Sequence, residues 1–249
     1  MDIPVLFNTA MIQAIMENKK HMTRRIIKPQ PPKGAWPIFD WLYCYKVEGW
    51  AFQYSKEIAL GLIHNPIFKL SHNGKCPYGP IGTTLWVRET WKYYEKAVGK
   101  GENFRVERFL AYKADQGNDK IQKSSEWFEG KWHPSIHMPK TACRIRLKIT
   151  DIRIERLQNI TEEDAKAEGV TPIVDAHLNI LPNGYRLAFS DLWNSIYSSP
   201  MPAKNGGTIT HYESYPWDDV QETREYKGLP WKVYGNPWVY PISFEKVKL

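Results

Sequence analysis

Residues 143–157 read Cys143-Arg144-Ile145-Arg146-Leu147-Lys148-Ile149-Thr150-Asp151-Ile152-Arg153-Ile154-Glu155-Arg156-Leu157. Cys143, Ile145, Leu147 and Ile149 alternate with Arg144, Arg146 and Lys148, the period of a strand with one buried and one basic face. The phase slips at Thr150-Asp151, after which Ile152 and Ile154 resume the apolar side. A one-residue slip implies a bulge or a bend, and barrels use such bends to close. This stretch predicts an α+β fold, a mixed β-barrel with helices packed at one end.

The flanking segments supply the helices and the other strands. Upstream, Thr84 to Trp91 alternates as a strand after the Gly79-Pro80-Ile81-Gly82 turn signal. Downstream, Thr161-Glu162-Glu163-Asp164 opens a short helix like a capping box, with Ile160 and Ala165 placed as a hydrophobic staple and Gly169 as its end. Tyr185, Ala188, Phe189, Leu192, Trp193, Ile196 and Tyr197 form a full amphipathic stripe of a longer helix. The last strand alternates Trp238, Tyr240, Ile242 and Phe244, and Pro241 within it implies an edge or a bulge. Near the start, Val5 to Phe7 reads as a strand, Asn8-Thr9 as helix caps, and Ala10 to Glu17 as a helix burying Met11, Ala14 and Ile15. Asn18 then stands where a helix end wants a left-handed residue.

At 249 residues the chain fits one large domain with a substantial core. Three segments fall outside the regular pattern: about 28–80 and 95–130, and the Pro-, Gly-, Lys- and Asn-rich stretch 198–232, read as an exposed excursion. The first carries scattered aromatics (Trp36, Trp41, Tyr43, Trp50, Phe52), read as an insertion docked on the core. A formal charge of +7 makes an anionic partner plausible. Three cysteines (Cys44, Cys76, Cys143) without CxxC spacing argue for reduced thiols. Met1 to Asn8 has no basic leader or apolar h-region, and no apolar run approaches the ~20 residues needed to span a bilayer. A cytoplasmic location and no membrane partner are expected.

Beyond the first helix lies Asn18-Lys19-Lys20-His21-Met22-Thr23-Arg24-Arg25. A threonine hydroxyl needs a neighbouring base to act as a nucleophile. Like charges and burial both favour a neutral lysine amine, and Lys19, Arg24 and Arg25 could supply such charges to Lys20. The same cluster would serve equally as a phosphate cradle. The residues leave open whether Lys20 and Thr23 react or bind.

The run Asn18-x-Lys20-x-x-Thr23-x-Arg25 resembles the Gly-x-Lys-x-x-Thr-x-Arg motif of the activating signal cointegrator homology (ASCH) family, with Asn18 in the place of its glycine. Leu85 to Trp91, Pro134-Ser135-Ile136-His137-Met138-Pro139 and Ile160 to Ala165 look like the larger phage and prophage members. Thr83 stands where those members usually carry Asp. The resemblance implies the PUA-like barrel of RNA-binding domains. Some small bacterial members hydrolyse N4-acetylcytidine with a Lys, Thr and Glu triad, and the matching positions here are Lys20, Thr23 and Glu168. Other relatives bind RNA.

Two function classes follow. In the first, the chain is an amidohydrolase removing an N4-acyl group from cytidine-type nucleosides, with Arg25, Trp86, Arg88, Glu89, Ser135 and His137 as substrate-binding residues. In the second it is a non-catalytic reader of RNA or modified DNA, with Lys19, Arg24, Arg144, Arg146 and Lys148 tracking a phosphate backbone and Trp86 or Trp91 stacking a base. Glu89 is either paired with an arginine such as Arg88 or Arg25, the preferred reading, or faces the pocket. His133 and His137 are spaced HxxxH, as are His72 and Cys76 in HxxxC, but Pro134 and Pro139 argue against a helix at the first. No metal or cofactor is expected.

Overall fold

The computed structural model describes residues 2–31, 36–38, 51–53, 68–69, 76–117 and 127–247. In chain order the elements are β1 (Asp2–Leu6), α1 (Thr9–Met16), β2 (Met22–Ile26), β3 (Trp36–Ile38), β4 (Ala51–Gln53), β5 (Phe68–Lys69), β6 (Thr84–Arg88), β7 (Trp91–Val98), β8 (Arg105–Tyr112), β9 (Trp127–Glu129) and β10 (Arg146–Ile152). There follow β11 (Glu155–Arg156), α2 (Glu162–Ala167), α3 (Gly184–Tyr197), β12 (Met201–Asn205), β13 (Thr208–Ser214), β14 (Gln221–Tyr226), β15 (Leu229–Tyr234) and β16 (Trp238–Val247). The fold is mixed α+β with strands predominating. Its residues gather into two compact units: Met1–His21, Gly82–Ile149 and Phe244–Leu249 in the first, Met22–Ile81 and Thr150–Ser243 in the second.

In the first unit β1 runs parallel to β6, pairing Ile3 with Leu85 and Val5 with Val87. β10 joins β6 from the other side, Leu147 opposite Leu85. Leu85, Leu147 and Ile149 are fully buried, as the alternation of 143–149 requires. The strand expected over 84–91 breaks at Glu89-Thr90, and Trp91 begins a separate sheet in the order β8-β7-β9. Helix α1 starts at Asn8, whose side chain accepts from the Met11 N–H at 2.9 Å. Asn18 has φ 56°, the left-handed turn expected after that helix.

In the second unit β16 pairs with β2 on one side, Ile242 opposite Thr23 and Tyr240 opposite Arg25, and with β11 on the other. Pro241 lies inside β16, not on an edge. Its carbonyl accepts from Arg153 N at 3.1 Å, so its ring nitrogen faces residues 153–154. There the chain bends out of β10 before β11, and no ladder donor is needed. Against this sheet pack α2 and α3, burying Leu157, Ile160, Ala165, Phe189, Trp193 and Val239. Thr161 caps α2 by accepting from Asp164 N at 3.1 Å. Glu162 reaches across to accept from the Tyr185 and Arg186 N–H groups at 3.1 and 3.2 Å, so an acid from one helix neutralises orphan donors of the next.

The stretch 198–232 is more regular than its composition suggests. It contributes β12, β13, β14 and part of β15 to a four-stranded sheet in the order β12-β13-β15-β14. Its hairpins turn at Gly206-Gly207 and Lys227-Gly228, all with positive φ. The signal is weak because β14 is exposed on both faces and shows no alternation. Of the aromatic stretch before residue 80, Trp41, Tyr43 and Trp50 lie outside the described residues, as do Cys44 and His72.

Candidate functional site

Strand β2 sends Thr23 and Arg25 to one face and Arg24 to the other. Thr23 is 3% exposed. Glu168 stands at the C-terminal cap of α2, its N–H on the Asp164 carbonyl at 2.9 Å. It is 5% exposed, not the solvated position a glutamate near a helix end usually takes.

The side chain of Arg24 is sequestered. Its Nη2 donates to Asp164 Oδ2 at 2.7 Å and Glu155 Oε1 at 2.8 Å, and Nη1 to Glu168 Oε1 at 3.4 Å. Arg153 Nη2 shares Asp164 at 2.6 Å. A buried guanidinium is tolerated only with such pairing. Pulling it out toward a phosphate would strand three carboxylates. The expectation that Arg24 tracks a nucleic-acid backbone is therefore corrected: it is an internal tie between β2, β11 and α2.

Arg25 is half-buried, with its guanidinium carbon 5.9 Å from the centre of the Tyr78 ring. It hydrogen-bonds the Tyr197 hydroxyl. Burial pushes the Tyr197 phenol above its ordinary value, the Arg25 charge opposes this, and nearby Tyr78 and Glu168 add to it. The Tyr197 ring lies 4.4 Å from that of Trp193, which fixes it. Two phenols, a guanidinium and a carboxylate from four chain segments thus meet in the second unit. Behind them Tyr240 is buried and its phenol is raised, chiefly by burial. Burial also pushes the Cys76 thiol up to about 11.

The first unit holds the other residues singled out from sequence. Lys20 is 2% exposed, with Nζ 5.9 Å from the Phe7 ring centre. Lys19 is exposed and pairs with Glu17 at 2.7 Å. Trp86 is buried and the Arg88 guanidinium lies 5.3 Å from its ring centre. Arg88 donates to the Ile136 carbonyl, next to the short turn Ser135–His137. In that turn Ser135 is half-buried and His137 exposed.

Glu89 is buried in an ion pair, as preferred, but its partner is Arg144, which donates to both carboxylate oxygens at 2.8 and 2.9 Å. Asp115 takes a third bond at 2.8 Å, and the guanidinium sits 3.9 Å from the Tyr112 ring centre. Arg144 therefore does not belong to a basic face tracking phosphate. Arg146 is half-buried, whereas Lys148 is exposed, 4.0 Å from Glu245. The His133 ring stacks on Trp91 at 4.9 Å. Among the described residues no group of three or more His, Cys, Asp or Glu could hold a metal, and no helix is long and apolar enough to cross a membrane.

Comparisons with protein families, with curated proteins and with solved structures give no match.

Sequence reasoning missed Tyr78, Tyr197, Asp164, Glu155 and Arg153. The spacing of Asp164 and Glu168, one helical turn apart on the same face, was the available signal for the Arg24 network. Tyr197 closed an apolar stripe and was read as core. Tyr78 sits in a Pro- and Gly-rich turn with no pattern to mark it.

Proposed function

We propose that the chain is an ASCH-type, PUA-like protein that hydrolyses an N4-acyl group from cytidine-type nucleosides. The observation carrying this reading is burial. Seven polar or charged residues are buried among those described: Lys20, Thr23, Arg24, Glu89, Lys92, Glu168 and Ser214. The amine, alcohol and carboxylate selected from sequence are three of them. Burying such groups is costly without a purpose or a partner.

In the proposed reaction Lys20, three residues ahead of Thr23 in the chain, accepts the Thr23 proton. Thr23 Oγ1 attacks the acyl carbon, and Arg25 or a backbone N–H meets the oxyanion. The tetrahedral intermediate collapses with Glu168 protonating the departing N4 amine, which releases cytidine and leaves an ester on Thr23. Glu168 then takes a proton from water, whose oxygen attacks the ester carbonyl, and Thr23 regains its proton as the acid leaves. The competing reading, a phosphate-tracking reader, is weakened because Arg24 and Arg144 are committed to carboxylates.

The test is release of cytidine from N4-acetylcytidine. Lys20→Ala, Thr23→Ala and Glu168→Gln are each expected to lower kcat by at least about 100-fold with the fold intact by circular dichroism. Wild-type protein without turnover, or a Thr23→Ala variant at wild-type rate, would remove the proposal.

A further inference from the structure

The geometry points to Tyr78 and Tyr197 as the residues that, with Arg25, read the heterocycle, selecting an amino-oxo pyrimidine over a dioxo one. This rests on the nucleoside reading above but concerns recognition, not chemistry. Arg25 offers only donors, an ionised Glu168 only acceptors, and the tyrosine hydroxyls either. The Arg25 guanidinium bonds the Tyr197 hydroxyl and lies beside the Tyr78 ring, and Glu168 is close enough to Tyr197 to raise its phenol.

A donor set beside an acceptor matches the edge of cytosine, where O2 and N3 accept and the N4 amine donates. The uracil edge reverses the last two positions, with N3 donating and O4 accepting. That places a carbonyl oxygen where the carboxylate stands, two acceptors facing each other. Buried polar groups left unmatched reject the wrong ligand more strongly than the right contacts attract the correct one. Tyr78 adds an aromatic face, which any base can use for stacking. Tyr197 is pre-set for its role, because its ring is packed on Trp193 and its hydroxyl is held by Arg25.

Calorimetric binding of cytidine, uridine and inorganic phosphate to the full chain tests this without any turnover. Wild-type protein is expected to bind cytidine at least about ten-fold tighter than uridine, and Tyr197→Phe to lose about ten-fold of cytidine affinity and most of that preference. Tyr78→Phe is expected to retain binding, and Tyr78→Ala to lose about ten-fold, with thermal melts confirming that each variant folds. Equal affinity for the two nucleosides, displacement of cytidine by phosphate, or an unchanged Tyr197→Phe would overturn the inference. Cytidine binding with these losses but no N4-acetylcytidine turnover would remove the hydrolase and keep the base site. Turnover with cytidine affinity unchanged in both Tyr197→Phe and Tyr78→Ala would do the reverse.

Discussion

The Arg144 guanidinium grips both carboxylate oxygens of Glu89, at 2.8 and 2.9 Å. Glu89 is almost wholly buried, whereas Arg144 keeps a quarter of its side chain exposed and holds a second acid, Asp115. The pair is therefore asymmetric. Removing the cation leaves a buried anion without its fork, while removing the anion leaves a cation with another partner. Arg144→Met is expected to cost about 3–5 kcal/mol and Glu89→Gln less, with the double variant Glu89→Met/Arg144→Met recovering much of the loss. Urea unfolding of the three variants checks the order. Equal losses, or a double variant worse than either single one, would contradict it.

Arg24 joins β2 to β11 and α2 through three carboxylates at 2.7 to 3.4 Å. Lysine cannot reproduce a planar fork at several acceptors. Arg24→Lys is thus expected to lose most of what Arg24→Gln loses, about 3 kcal/mol. Lys19→Ala, which removes only a solvent-exposed pair, is expected to lose under about 0.5 kcal/mol. A fluorescence-monitored denaturation series reports all three. An Arg24→Lys variant of wild-type stability would show that charge alone suffices there.

How much of this was legible in the sequence depended on whether a residue announced its environment. Leu147 and Ile149 did so by alternation, Thr161 by capping chemistry, and Asn18 by being a non-glycine suited to the left-handed turn it takes. Lys20, Thr23 and Glu168 were reached through a motif, and their burial could not be read from the residues alone. Arginine was the chief source of error. Arg24 and Arg144 look alike on paper as cations on a strand, yet both turn inward because acids distant in the chain, Asp164 and Glu89, are brought opposite them. Pro241 misled for a related reason: proline in a strand suggests an edge, but a bend in the neighbouring chain at 153–154 removed the need for its N–H.

Cys76 supplies a pH prediction. Burial raises its thiol to about 11 from the ordinary 9.0, so at neutral to mildly alkaline pH about a hundred-fold less thiolate is present than in an open peptide. Alkylation by iodoacetamide, followed by peptide mass mapping, is expected to be slower by about that factor in the folded chain. Labelling as fast as in a peptide spanning residues 74–79 would contradict the buried environment.

Glu213 supplies one of the opposite sign. Burial would raise its carboxyl, but hydrogen bonds from Tyr215 and His211 and the charge of Lys28 outweigh this and hold it below the ordinary 4.5. A carboxyl depressed on folding binds fewer protons than in the unfolded chain, so stability rises with pH through that window. Relative to Glu213→Gln, wild-type protein is expected to keep its full advantage above pH 4.5 and lose it progressively on further acidification. Melting temperatures of both proteins across the acid range test this, and a gap that widens toward low pH would refute it.

The most direct test of the central claim is to look for the ester. Mixing Glu168→Gln protein with N4-acetylcytidine, quenching in acid within one turnover and mapping peptides by mass should find one acetyl group on Thr23, because the residue that activates the hydrolytic water is missing. No acetyl on Thr23 while wild-type protein still releases cytidine, or an acetyl on any other side chain, would contradict the account.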